Sequence, residues 1–216
     1  LYASHLYILN NNNEWQAVTE VVVPEGISEI EERKYYNFSD IEKVIISSGV
    51  QKIGNYAFYQ CESLKDIILP ASIKTINVSA FYGCEALENV YYEGTIEDWI
   101  NIQFGNSNSN PMYYAKHFYM LDENGTVEYN GRKYSPLTEV EIPETVTTIG
   151  QYAFYNCQKL TNIVLSDNIK TIGSNAFYNC KTITNFKLPE KLQEIYDGAF
   201  SGCIGISTII IPKEVT

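Results

Sequence analysis

Histidine is scarce in this chain: two residues, His5 and His117, in 216. That thins out the side chain most often used to move protons near neutral pH. The two also stand in matching surroundings, Ala3-Ser4-His5-Leu6-Tyr7 and Ala115-Lys116-His117-Phe118-Tyr119, so they read as features of a repeated module. A catalytic base needs a positioned nucleophile or acid beside it. The sequence has no Gly-x-Ser-x-Gly elbow, no phosphate-cradling glycine loop, no zinc-type cysteine pair and no histidine-rich cluster. Asp122-Glu123-Asn124-Gly125 has the opening of a calcium loop without its later ligands, and reads as a hairpin turn. The expectation is therefore no enzyme, no metal and no cofactor. Positive charge is short as well, with 15 Lys and Arg against 26 Asp and Glu for a formal net charge of -11. Such a surface repels nucleic-acid phosphates and anionic lipid, which makes nucleic acid an unexpected partner. No apolar run approaches the ~20 residues of a membrane-spanning helix, so direct membrane insertion is not expected, and no export leader opens the sequence.

What is present is a repeat. The five cysteines, at 61, 84, 157, 180 and 203, share one set of neighbours and are spaced 23, 73, 23 and 23 apart. The cassette Ile-x-x-Ile-Gly-x-x-Ala-Phe-x-x-Cys-x-x-Leu-x-x-Ile-x-Leu-Pro is carried by Ile53, Gly54, Ala57, Phe58, Cys61, Leu64, Ile67, Leu69 and Pro70. A period near 23 belongs to the leucine-rich class of solenoids, which bury apolar columns between neighbouring coils. All five cysteines fall on one cassette position among Ala, Phe and Leu, and so read as a column of buried, unpaired thiols acting as small hydrophobes. Gly54, Gly150 and Gly173 recur just past the second isoleucine, where a turn with positive φ is expected.

The Leu-x-x-Ile-x-Leu register places strands at 20–23, 43–46, 66–69, 89–92, 139–142, 162–165, 185–188 and 208–211. Their centres, Val21, Val44, Ile67, Val90, Val140, Ile163, Phe186 and Ile209, step by 23 except for one step of 50. Alternation along each strand turns these centres inward. The expected fold is a leucine-rich repeat solenoid: a single parallel β-sheet with short helical, 3-10 and irregular return segments. One continuous solenoid is expected over 1–216, in blocks 1–92 and 115–216, with a variant enlarged coil at 93–137. In that coil Thr95-Ile96-Glu97-Asp98 reads as a capped helix start before Trp99. The last residues, Pro212-Lys213-Glu214-Val215-Thr216, match the coil opening Pro143-Glu144-Thr145-Val146-Thr147, so the chain reads as a piece of a longer array.

The cassette, with its Gly94-Thr95 to Trp99 interruption, resembles the BspA-type leucine-rich repeat family over nearly the whole chain. The resemblance implies a surface or secreted protein used in adhesion to host matrix proteins or other cells, extracellular or on the cell surface, with anchor and export signal outside this segment. It transfers no site residues, because the family has no shared site motif.

Two surfaces are candidates for binding. Tyrosine is abundant, 18 residues, and one column follows the buried phenylalanine: Tyr36, Tyr59, Tyr82, Tyr155 and Tyr178. Aligned coils put these rings on one face, either as a packing ladder or as an aromatic strip offered to a protein or glycan. The strand face offers the second, where Val22, Ile45, Ile68 and Tyr91 each lie midway between two inward residues and are expected to point outward. The resulting reading is a non-enzymatic binding or adhesion module for a protein or glycan partner, with a structural spacer or accessory array presenting another domain as the alternative.

Overall fold

The structure, a computed structural model, describes residues 5–184 and 186–215. It is a β-solenoid of about eight turns with mostly parallel strands and a period of about 23. Packing divides it into two compact units, Leu1–Glu93 with Phe104–Ala115, and Gly94–Gln103 with Lys116–Thr216.

In the first unit an antiparallel hairpin, β1 (Tyr7–Leu9) and β2 (Trp15–Ala17), precedes the coils. β3 (Glu20–Val23), β4 (Glu29–Ile30), β5 (Lys43–Ile46), β6 (Lys52–Ile53), β7 (Asp66–Leu69), β8 (Thr75–Ile76) and β9 (Asn89–Tyr92) then alternate between two parallel sheets. The wider sheet is β3, β5, β7 and β9, in the register Val21↔Val44, Val44↔Ile67 and Ile67↔Val90. The narrower one stacks Ile30, Ile53 and Ile76. All seven of these side chains are buried and β-branched, and they form five valine or isoleucine pairs in direct register, which suits a pleated, half-buried surface.

Each coil closes through an arch too short for a helix, and its backbone groups are satisfied in two alternating ways. Tyr56, Phe58 and Gln60 donate their N–H to Val78, Ala80 and Tyr82 carbonyls of the next coil at 3.1, 2.9 and 2.7 Å. The residues between them fold back three positions, as in Tyr59 N–H to Tyr56 O at 3.2 Å and Cys61 N–H to Phe58 O at 3.2 Å. The alternation requires two left-handed residues per arch. They are Arg33, Tyr56 and Ser79 at one position and Asn37, Gln60 and Gly83 at the other. The expected positive-φ turn at Gly54, Gly150 and Gly173 is therefore displaced by two residues. These glycines serve close approach instead: a Cβ on Gly54 would lie 2.6 Å from the Glu32 nitrogen, and one on Gly173 2.7 Å from the Gln151 nitrogen.

The segment 104–115 ends the first unit by replacing the carbonyls of a next coil. Ser79 N–H donates to Asn106 Oδ1 at 3.1 Å, Phe81 N–H to Asn108 O at 3.1 Å, and Gly83 N–H to the Tyr114 hydroxyl at 3.0 Å. Two 3-10 turns, Ser107–Ser109 and Pro111–Tyr113, hold that segment in shape.

The second unit opens with α1 (Ile96–Ile100), where Thr95 and Asp98 form the expected capping box. β10 (Gln103–Phe104) follows in sequence, with Phe104 already in the first unit. Trp99 is buried against Phe118, with ring centroids 4.4 Å apart, and its indole N–H donates to Ala153 O at 2.7 Å. β11 (His117–Leu121), β12 (Val127–Tyr129) and β13 (Arg132–Pro136) form an antiparallel sheet whose Asn130-Gly131 turn has the positive φ values expected of that pair. β14 (Glu139–Glu141), β15 (Thr148–Ile149), β16 (Asn162–Val164), β17 (Thr171–Ile172) and β18 (Glu194–Ile195) resume the parallel coils, and the arch pattern returns with left-handed Tyr152, Asn175, Gly198, Asn156, Asn179 and Gly202.

The expected strands 185–188 and 208–211 are not formed among the described residues; Asn185 lies outside them. Phe186 and Ile209 are half-buried rather than buried. At the centre of this strand Phe186 replaces the Val or Ile of the other coils, and its larger ring sits edge-on to Phe177 and Phe200 at 5.4 and 4.9 Å.

Candidate functional site

The arch that buries one aromatic ring presents another. Successive arch residues point to opposite sides, so Phe58 and Phe81 stack inside at 5.4 Å while Tyr59 and Tyr82 stack outside at 5.1 Å. Tyr36 and Tyr59 are 4.9 Å apart and parallel to within 2°. Tyr56 meets the edge of Tyr59 at 5.7 Å, and the Arg33 guanidinium lies 5.0 Å over the Tyr56 ring. In the second unit Tyr155 and Tyr178 stack at 4.8 Å, and Tyr152 takes the place of Tyr56. The left-handed residues are what hold this register, since they aim the arch N–H groups at the next coil and fix the coil spacing at every tyrosine.

The rings are half-buried, with Tyr82 exposed. Burial raises the Tyr59 phenol above its ordinary value, and the neighbouring Tyr36, Tyr82 and Tyr56 phenols raise it further. The ladder is a row of phenol hydroxyls and ring edges, able to donate and accept hydrogen bonds beside apolar area. The inner ring faces are turned to each other and are not offered to a flat ligand.

The strand face differs from its expected form. Val22 is 55% exposed and Ile45 half-buried, but Ile68 is 1% and Tyr91 5% exposed. The four do stand in register, and in that ladder Ile68 is flanked by Ile45 and Tyr91, which close over it from both sides. Pleat alternation gave the side of the sheet and missed how much of that side neighbouring side chains cover. The adjoining outward columns are polar and link coil to coil: Lys43 to Glu20 at 3.3 Å, Asn89 to Asp66 at 2.7 Å, Lys65 to Glu42 at 2.9 Å.

The residues weighed for chemistry take structural places. His5 Nδ1 lies 2.6 Å from Asp40 Oδ2 on the surface, and each histidine has the tyrosine two residues on as a ring neighbour. The five thiols are free and buried. Cys61, Cys84, Cys180 and Cys203 donate to the carbonyls of Tyr35, Phe58, Phe154 and Phe177, one coil earlier, at 2.9–3.1 Å. Burial pushes the Cys61 and Cys157 thiols up to about 12, far from the range of a reactive thiolate. Asp122 uses both carboxylate oxygens on its own turn, accepting from Ser135 Oγ at 2.6 Å and Asn124 N–H at 2.9 Å. Among the described residues no group of three His, Cys, Asp or Glu is placed to hold a metal ion.

Sequence reasoning found the tyrosine column but missed Tyr56, Arg33, Tyr113 and Tyr114. The last two stand 4.8 Å apart in the first unit's closing segment. The positions of Tyr56 and Tyr152, four before the Asn or Gln in each cassette, carried the available signal.

No curated protein is similar enough in sequence to count as a relative. Among solved structures, a leucine-rich repeat protein from Bacteroides ovatus covers 100% of this chain at 22% identity with a TM-score of 0.54, and the pneumococcal vaccine antigen PcpA covers 97% at 20% identity with a TM-score of 0.51. The chain spans 54% and 60% of those two proteins, and at such identity they bear on the fold alone. The model of the BspA type leucine rich repeat region matches residues 8–124 and 126–216 in six copies. With the cassette, the coil register and that match in agreement, the chain belongs to the BspA-type leucine-rich repeat family.

Proposed function

We propose that this chain is a non-enzymatic binding module, extracellular or on the cell surface, that engages a protein partner through the tyrosine ladder of its first unit. The observation that carries the reading is the aromatic cluster of Tyr36, Tyr59, Tyr82 and Tyr56 with Arg33, a combination enriched where proteins meet. A protein is favoured over a glycan because the stacked rings offer edges and hydroxyls, whereas sugars stack on open ring faces. The surface location rests on family membership, and the net charge of -11 agrees with a partner that is neither nucleic acid nor anionic lipid. A screen of the full chain against immobilised matrix proteins and glycans, repeated with Tyr59→Ala plus Tyr82→Ala, tests it. Binding that falls at least tenfold in the double variant supports the ladder. Binding that survives it moves the site to the strand face around Val22 and Ile45.

The regularity of the inter-coil ladders also supports a second reading, a spacer that holds another domain at a distance. No binding to any member of the screen is the result that favours it.

A further inference from the structure

Beyond ligand binding, and independent of it, we propose that the tyrosine ladders are sites of oxidative cross-linking, at which a peroxide acting with a peroxidase joins neighbouring coils through carbon–carbon bonds between phenols. The substrate pairs are Tyr36 with Tyr59, Tyr59 with Tyr82, and Tyr155 with Tyr178.

Three observations carry this. First, the ring centroids are 4.9, 5.1 and 4.8 Å apart and the planes within 2°, 19° and 8° of parallel. Two phenols joined at their ortho carbons have centroids separated by two ring radii and one C–C bond, so closing each pair changes the separation by well under one coil spacing while the stacked rings turn from face to face to edge to edge. Second, the pairs are held by the fold and not by chance encounter: the Gln60 N–H to Tyr82 O and Asn37 N–H to Tyr59 O bonds, both 2.7 Å, lock the arch backbone beside each ring. A radical formed on one phenol therefore has a fixed partner, which gives the intramolecular reaction the advantage of a high effective concentration. Third, the thiols that would otherwise compete for the oxidant are withheld. All five thiols are buried and held protonated, and thiolate character and exposure govern cysteine oxidation.

The chemistry balances. Each phenol gives up one electron and one proton, and hydrogen peroxide takes up two of each to become two water molecules. The two phenoxyl radicals form a bond between ortho carbons. Each ring then shifts its displaced ortho hydrogen to the oxygen and regains aromaticity. One pair of tyrosines and one peroxide yield one biaryl and two waters, and no other bond is broken. A link from Tyr36 to Tyr59 ties residues 23 apart in sequence, so it restrains the unfolded chain as a disulfide would.

The test is treatment of the full chain with hydrogen peroxide and a peroxidase, followed by dityrosine fluorescence and mass mapping of proteolytic peptides. The expected products join residues 36 to 59, 59 to 82 and 155 to 178, each short of two hydrogens, in a yield independent of protein concentration. Tyr59→Phe keeps the stacked ring and removes the phenol, so it should lower cross-linking in the first unit at least tenfold and leave the 155–178 product unchanged. Tyr178→Phe should do the reverse, which guards against a folding defect in either variant. The proposal is overturned if the yield rises in proportion to protein concentration. It is also overturned if Tyr129 and Tyr196, which lie off the ladders, cross-link as readily, or if Tyr59→Phe leaves the first-unit products intact.

Discussion

Replacing Phe177 by alanine probes the inner aromatic column where it is most enclosed. Phe177 is fully buried, stacked between Phe154 at 5.2 Å and Phe200 at 5.5 Å, with the edge of Phe186 at 5.4 Å. Its neighbours above and below are held by coil-to-coil backbone bonds, so they cannot collapse into the space left behind, and the expected loss is about 3–5 kcal/mol. Phe200 has the same role in the next coil but is only half-buried, with one stacked neighbour, so Phe200→Ala should lose about 2 kcal/mol. Phe177→Leu keeps most of the volume and should cost under about 1.5 kcal/mol. Urea unfolding followed by tryptophan fluorescence suits the measurement, because Trp99 is buried in the same unit with its N–H on Ala153 O. With a slope of about 2 kcal/mol per molar, Phe177→Ala should lower the urea midpoint by about 2 M. A loss below about 1 kcal/mol, or equal losses at Phe177 and Phe200, would refute the idea that stacking between coils sets the energetics.

Gly54→Ala should destabilise by about 1–3 kcal/mol, because its Cβ meets Glu31 and Glu32 backbone atoms that have no side-chain freedom to yield, and a thermal shift near zero would show that the coils can separate there. Gly26→Ala, at φ 85 with open space around it, should cost only the backbone strain of about 1 kcal/mol in the same thermal melt. Thiol titration should find no reactive cysteine in the folded chain and five after unfolding without reductant; fewer than five would mean that bridges form. Stability should also fall in alkali. The folded thiols hold their protons more tightly than the ordinary value of 9.0, so their contribution is complete below pH 9 and is lost as pH climbs through about 12. Each thiol that ionises only in the unfolded chain adds a slope of about 1.4 kcal/mol per pH unit, and Cys61→Ala should remove one such share from the pH dependence of the urea midpoint.

The period, the inward centres of the strands from Val21 to Ile163 and the buried Phe and Cys columns up to Phe177 were legible in the sequence, because apolar columns between coils constrain residue type; Phe186, Phe200 and Ile209 were expected in the same columns and are half-buried. Thr95 and Asp98 announced α1 for a similar reason, since capping demands particular side chains at fixed spacing. The left-handed positions were not legible. Arg33, Tyr56 and Gln60 do not favour that conformation, and it is imposed on them by bonds to the next coil. The glycines that looked like turns answer to backbone crowding instead. On the strand face, the period fixed the side of the sheet for Ile68 and Tyr91 but not their cover, which depends on neighbours a coil away. After Thr184 the column alone did not show that strand pairing stops, where Phe186 stands among valines and isoleucines and its ring packs edge-on to Phe177 and Phe200.

The direction of the arch bonds has a consequence for how such a chain grows. Along the arches the N–H groups that bridge coils point from one coil to its successor, as from Phe58 to Ala80 O, whereas at the sheet margins the bridging donors point back, as from Lys65 to Glu42 O and from Asn77 to Ile53 O. The peptide dipoles of the two sets oppose each other along the stacking direction. An α-helix, whose dipoles all align, accumulates partial charge at its ends. Here the opposition keeps the end faces from building up such a charge, so inserting or deleting a 23-residue coil leaves the electrostatics of the remaining coils nearly as they were. Length becomes a property that gene duplication can change one turn at a time, while Asn106, Asn108 and Tyr114 supply the few acceptors needed where a run of coils stops.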